Sequence, residues 1–397
     1  MRSPDESDGW LKRSLREEAE TVYQGENIEI RTGLAYLRDS GTSGYSDLSE
    51  WVSMTEARVP LSGGRLTVRT DTVNRSVGAL ANGYPSFGTC GLLSCSDPGM
   101  KSDRGQTLGI RWENETWRFD IGTTPVGFVK STVVGGVSYS FSALGASWSV
   151  GAYRRSQASS LLSYGGMKDP NTGLKWGGVT RNGAELNYAL DKGEENGIWA
   201  KLKAEMLTGH NVADNWDVML MGGYYRRLIN RPNHELTAGI SGMLWHYDKD
   251  LSGYTFGQGG YYSPQMYLSA GLSLEDAGRT ENWAWDVRAG IGFSHARTDD
   301  VARYPRKGPL RAHIPARLED DLNAVNRGDS SNGLSYTAQF ALERRLSPHF
   351  VLGLAANATK GEGYRPRFGV LYLRWYQMPW NGNLPMPVRP MMPYYAW

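Results

Sequence analysis

The sequence predicts an all-β fold, a transmembrane antiparallel β-barrel of about sixteen strands. Two observations carry that reading: a strand signature with one oily and one wet face that recurs along the chain, and a regular alternation of short and long connections. The signature is cleanest over 283–294. Trp283, Trp285, Val287, Ala289, Ile291 and Phe293 share one face, and Ala284, Asp286, Arg288, Gly290, Gly292 and Ser294 share the other, because side chains alternate along a strand. Helical spacing would place Asp286 and Arg288 among the tryptophans. At about 3.3 Å per residue, some ten tilted residues cross a bilayer's hydrocarbon, and the paired tryptophans at one end suit an aromatic girdle.

Taken in order, residues 10–20 alternate Trp10, Leu11, Leu15 and Ala19 with Lys12, Arg13, Arg16, Glu17 and Glu18, the pattern of a short amphipathic helix within a leader over 1–25. The barrel is expected over 26–376, with strands near 26–39, 46–60, 64–73, 104–113, 116–125, 132–141, 145–156, 182–190, 197–208, 215–229, 234–247, 264–275, 282–297, 333–345, 349–360 and 366–375. Short turns fall near 62–64, 114–115, 142–144, 191–196, 230–233, 276–281 and 347–348, whereas 74–103, 157–181, 248–263 and 298–332 are long. Turns on one rim and loops on the other are the asymmetry of outer-membrane barrels, with the turns periplasmic. A soluble sandwich gives no reason for it.

Composition agrees. The 49 Gly, 14 Trp and 22 Tyr accompany a mean hydropathy of −0.48, as expected when a wet face dilutes an oily one. No run of eighteen apolar residues exists, so a transmembrane helix is not expected. A net charge of +2 from 43 basic and 41 acidic residues offers nothing to nucleic acid. No signal peptide is visible at Met1, so the chain reads as a mature or C-terminal part of a longer precursor. Cys90 and Cys95, the only cysteines, lie in a Gly/Ser/Pro-rich loop and read as a local disulfide, with two free thiols as the alternative. No His lies near them to complete a metal site.

Parity assigns a lumen that includes Arg65, Arg69, Arg111, Arg118, Asp120, Glu185, Lys201, Lys203, Glu205, Asp217, Arg227, Glu235, Asp286, Arg288 and Glu343. Much of this is expected to be interstrand ion pairing. Six aromatics share the face: Tyr153, Trp199, Tyr225, Trp245, Tyr247 and Tyr267. Flat rings beside hydrogen-bonding groups suit a sugar chain, which presents CH-rich faces. No Gly-x-Ser-x-Gly elbow, P-loop or metal spacing of His occurs, so neither catalysis nor a cofactor is expected. The tail over 377–397 holds Pro379, Pro385, Pro387, Pro390 and Pro393, which exclude a central strand or continuous helix. Its apolar content, with Trp380, Tyr394, Tyr395 and Trp397, predicts that it folds back into the pore as a plug or guide.

Four strings in order carry a family resemblance. They are Asp120-Ile121-Gly122-Thr123-Thr124-Pro125-Val126-Gly127-Phe128, Leu161-Leu162-Ser163-Tyr164-Gly165-Gly166-Met167-Lys168-Asp169-Pro170 leading to Trp176-Gly177-Gly178-Val179, Gly259-Gly260-Tyr261-Tyr262-Ser263-Pro264-Gln265, and Thr280-Glu281-Asn282-Trp283-Ala284-Trp285. The sequence resembles the C-terminal outer-membrane domain of the bacterial cellulose synthase operon protein C, the cellulose-secretion porin, from about Arg2 to Trp375. The resemblance implies a sixteen-stranded barrel passing a β-1,4-glucan across the outer membrane. It also implies two partners, a periplasmic tetratricopeptide scaffold and the inner-membrane cellulose synthase complex, with outer-membrane lipid around the wall. The tail and the Cys90–Cys95 loop match no family motif. Export of a poly-N-acetylglucosamine is the nearest rival, and would favour an acidic lumen. An outer-membrane lipid-modifying enzyme and a soluble β-rich binding protein are the others.

Overall fold

The computed structural model describes residues 23, 25–80, 84–95, 100–361 and 365–397. The helix expected over 10–20 lies outside them. Sixteen strands form one sheet in chain order: β1 (Glu29–Asp39), β2 (Leu48–Leu61), β3 (Gly64–Ala79), β4 (Met100–Glu113), β5 (Trp117–Thr123), β6 (Val133–Ala143), β7 (Ala146–Ser156) and β8 (Lys175–Asp191), then β9 (Asn196–His210), β10 (Asn215–Arg231), β11 (His234–Tyr247), β12 (Met266–Arg279), β13 (Trp283–Arg297), β14 (Ser330–Ser347), β15 (Phe350–Lys360) and β16 (Pro366–Tyr376). Each pairs antiparallel with its successor. The sheet closes where β1 pairs with β16, from Glu29 opposite Tyr376 to Asp39 opposite Pro366. Closure leaves no unpaired sheet edge.

The short-turn rim follows from turn chemistry. Ser62–Gly63 and Leu144–Gly145 are two-residue loops between paired Leu61–Gly64 and Ala143–Ala146, and all four turn residues have positive φ. That is the twist a tight hairpin requires. The turn expected over 142–144 is therefore one residue later, and β8 starts seven residues before its expected 182.

The outer face is apolar, with Leu108, Ile121, Leu202, Leu220, Ile240, Leu272 and Ile291 among its exposed side chains. Near the short turns it carries a belt of rings in series. Trp117 meets Phe119 at 5.4 Å and Tyr139 at 4.6 Å, Tyr139 meets Phe141 at 5.6 Å, and Trp148 meets Tyr188 at 4.8 Å. The inner face is polar and paired. Two examples are Arg155 Nη1 to Asp120 at 2.6 Å and Lys201 to Glu185 at 2.7 Å.

At the long-loop end four segments interlock as a lid. Residues 84–95 are clamped by a disulfide between Cys90 and Cys95, with S–S 2.01 Å, and pair in parallel with Tyr254–Thr255. Thr89 donates from its amide to Asp169 Oδ1 at 2.7 Å, and Arg303 donates to the Pro85 carbonyl at 2.6 Å. Beneath them a small core forms: the Trp176 ring lies 5.4 Å from Phe87 and 5.8 Å from Phe256, and all three are fully buried. Burial pushes the Tyr254 hydroxyl up to about 12, so this ring stays neutral in ordinary conditions. A short helix, α1 (Leu161–Gly165), is part of the lid and is opened by a capping box between Ser160 and Ser163.

Candidate functional site

The lumen is divided lengthwise. One side is occupied by the chain's own C-terminus, and the other is open wall.

The tail begins at the short-turn rim. The Gln377 amide donates to the Ile28 carbonyl at 3.0 Å, and Asn27 exchanges two hydrogen bonds with the Met378 backbone. Trp380 is buried there, stacked on Tyr23 at 5.7 Å, with its amide donating to the Pro348 carbonyl at 2.6 Å. From that point the tail is held mainly by its carbonyls. Arg345 donates to Gly382, Arg279 to Leu384 at 3.3 Å, Arg374 to Arg389 at 2.9 Å and Arg69 to Met392. A proline-rich segment has carbonyls without strand partners, so inward-facing guanidiniums supply the missing donors. Two of these arginines are also paired with carboxylates. Arg69 lies 2.7 Å from Asp71, and Arg374 pairs with Glu343.

The tail ends high in the lumen. The Tyr394 amide donates to Asp71 Oδ2 at 2.7 Å, and the Tyr395 hydroxyl donates to Glu50 at 2.7 Å. Trp397 lies under the Arg111 guanidinium, 3.8 Å from the ring centroid, a cation–π contact. Tyr395 also meets Tyr164 of α1 edge-on at 5.5 Å. Arg75 joins these parts, with Nε on Glu50 at 2.5 Å and Nη1 on the Ala158 and Ser160 carbonyls at 2.8 and 3.1 Å. Glycine clears the path: a methyl at Gly109 or Gly122 would overlap the Tyr394 ring.

The open side runs over β9–β12. Trp199, Tyr225, Arg227, Glu235, Thr237 and Glu275 line a concavity of about 290 Å³. Tyr225 donates to Asp191, and Arg227 Nε lies 3.0 Å from Glu235. Two rings beside carboxylates, a guanidinium and a hydroxyl form a surface able to hold a sugar by stacking and hydrogen bonds. Tyr153 projects inward from β7, outside this concavity, and donates to Glu205 at 2.7 Å.

The structure therefore separates the aromatics that the sequence grouped. Trp199 and Tyr225 are brought together. Trp245, Tyr247 and Tyr267 form a second group nearer the lid, with Trp245 4.9 Å from Tyr247 and 6.5 Å from Tyr267. Tyr247 is only 1% exposed and lies 6.2 Å from Tyr261 of the lid, so it is packing, not open wall. Tyr394, Tyr395 and Trp397 converge, whereas Trp380 sits apart at the rim. Sequence reasoning missed Glu50, Arg75 and Tyr164 as the receptor for the tail's end. Inward parity of Glu50 and Arg75 was the available signal.

A closed sixteen-stranded barrel with an apolar outer face and an ion-paired lumen defines the porin-like β-barrel class. A solved structure described as a bacterial polysaccharide outer membrane secretin has the same fold, with a TM-score of 0.53 over 89% of this chain and 99% of that one at 12% identity. The particular family comes from sequence: the model of the cellulose synthase operon protein C C-terminus matches residues 46–378, and the chain belongs to that family. It is 43% identical over 99% of its length to cellulose synthase operon protein C of Salmonella typhimurium, and equally to that of Escherichia coli. The chain spans about a third of the length of these relatives, 34% of each.

Proposed function

We propose that this barrel sits in the bacterial outer membrane and exports a neutral β-1,4-glucan from periplasm to cell surface, along the half of the lumen that the tail leaves open. The observation that carries the reading is the concavity of Trp199, Tyr225, Glu235 and Thr237 in the inner wall. A hydrated glucan offers alternating CH faces and equatorial hydroxyls, which such a wall meets by stacking and hydrogen bonding. Family membership and the names of the relatives support cellulose as the polymer.

The tail acts as a guide that narrows the pore, and the lid closes the outer mouth until a chain arrives. No covalent chemistry is required: polymerisation by an inner-membrane synthase supplies the push, and a periplasmic tetratricopeptide scaffold delivers the chain to the short-turn rim. A cationic poly-N-acetylglucosamine fits less well, because the wall's carboxylates are committed to cations, as in Lys203 with Glu205 and Arg288 with Glu275 at 2.8 Å. The test is a liposome assay of the refolded barrel with cello-oligosaccharides and with partly deacetylated chito-oligosaccharides of equal length. Selective slowing of ion flux by the neutral series is expected; preference for the cationic series would reverse the assignment.

A further inference from the structure

We propose that the outer face of the barrel carries, at the long-loop end of β7–β9, a cleft that binds phosphate and seats the phosphorylated headgroup of an outer-leaflet glycolipid. The cleft holds about 270 Å³ and is lined by Lys130, Arg154 and His210 together with the hydroxyls of Thr132, Thr180 and Thr208. Lys130 is positioned by its surroundings. Its amide donates to the Gly165 carbonyl at 2.7 Å, and its stem crosses Gly166 and Gly178, where an added Cβ would come within 3.2 and 2.8 Å of it. Both glycines have positive φ, of 74° and 63°, so a larger residue is excluded twice over. Arg154 is fixed by neutral acceptors alone: Asn182 Oδ1 at 2.9 Å, the Val133 carbonyl at 3.1 Å and Thr132 Oγ1 at 3.4 Å.

Charge balance points to an anion. Among the described residues, none of Lys130, Arg154 and His210 has a carboxylate at ion-pair distance, although the next residue, inward-facing Arg155, is held by both oxygens of Asp120 at 2.6 and 2.7 Å. Two cations beside an imidazole and hydroxyls, in a polar concavity without counter-charge, form a ready oxyanion site, and basic pockets at membrane level take lipid head groups.

Position selects the lipid. Arg154 shares its face with exposed Val150, and Thr208 and His210 share theirs with exposed Leu202 and Met206. His210 is four residues beyond Met206, roughly 13 Å along the strand, which places the cleft at headgroup level above an apolar wall that acyl chains can follow. This inference rests on the outer-membrane reading above. Inorganic phosphate shares the binding chemistry but cannot use the wall.

The test uses the full chain in nanodiscs, with Lys130→Gln/Arg154→Gln/His210→Gln as the variant, and native mass spectrometry of retained lipid. Diphosphoryl lipid A should be retained about tenfold or more over the variant, its dephosphorylated form equally by both proteins, and millimolar inorganic phosphate should displace little of it. Equal retention of diphosphoryl lipid A by both proteins overturns the proposal, as does full displacement by inorganic phosphate, which would assign the cleft to a free anion. Lys130→Arg should keep retention, which separates charge from folding. Planar-bilayer insertion of both proteins is recorded alongside. Failure of either to insert would count against the membrane reading, while insertion without selective retention sinks the cleft alone.

Discussion

Arg75 is the residue on which lid, wall and tail depend together. Its guanidinium is fully buried, ion-paired to Glu50, donating to two lid carbonyls and stacked 4.5 Å over Tyr164. Removing it leaves the Glu50 carboxylate buried with only the Tyr395 hydroxyl. Arg75→Leu should therefore cost about 3 kcal/mol or more, read as a lower unfolding temperature of the refolded barrel. The double replacement with Glu50→Leu should recover part of the loss, because no charge is then stranded. An additive double mutant would mean that the pair is not coupled. On the open wall the expectation is opposite in kind. Trp199→Ala and Tyr225→Ala should weaken cello-oligosaccharide block several-fold with folded yield intact, since neither side chain is core. Tyr247→Ala, a buried ring, should lose yield first, by about 3 kcal/mol of stability; loss of block at normal yield would return it to the pore surface.

Among elements, the disulfide-clamped loop and the tail behave differently. The Cys90–Cys95 bridge closes a short loop, so it contributes on the order of 2 kcal/mol or less, and that contribution is local. Cys90→Ser/Cys95→Ser should raise protease cleavage within 84–95 while the barrel's unfolding temperature stays within a degree or two; a large drop would make the loop part of the barrel's core stability. The strands were legible because one face of each is apolar and a slip of one residue would invert every side chain. That is why Trp283 to Ser294 could be read directly. The lid was not legible, because its contacts join distant positions, such as Thr89 with Asp169 and Arg303 with Pro85, and periodicity carries no such information. The tail was half legible. Its prolines and aromatics mark a segment that cannot be strand and should not be free, but the arginines that hold it bind backbone carbonyls, which any sequence supplies.

At the scale of the whole molecule, the proposed function makes the barrel a passage shared between the tail as guide and a moving polymer. Beneath the tail the inward wall interleaves small positions, at Gly109, Gly122, Ala341 and Ala355, with the arginines that hold it, such as Arg69, Arg111 and Arg374, whereas over β9–β12 it presents the rings of Trp199 and Tyr225. The two halves thus differ in what they can accommodate. The most direct measurement is single-channel conductance in planar bilayers of the full chain and of a chain lacking residues 379–397, each with and without cellohexaose. The account predicts higher conductance without the tail, at normal barrel yield, and block by cellohexaose that is abolished by Trp199→Ala/Tyr225→Ala. Unchanged conductance on removing the tail, together with no block by cellohexaose in either protein, would contradict it.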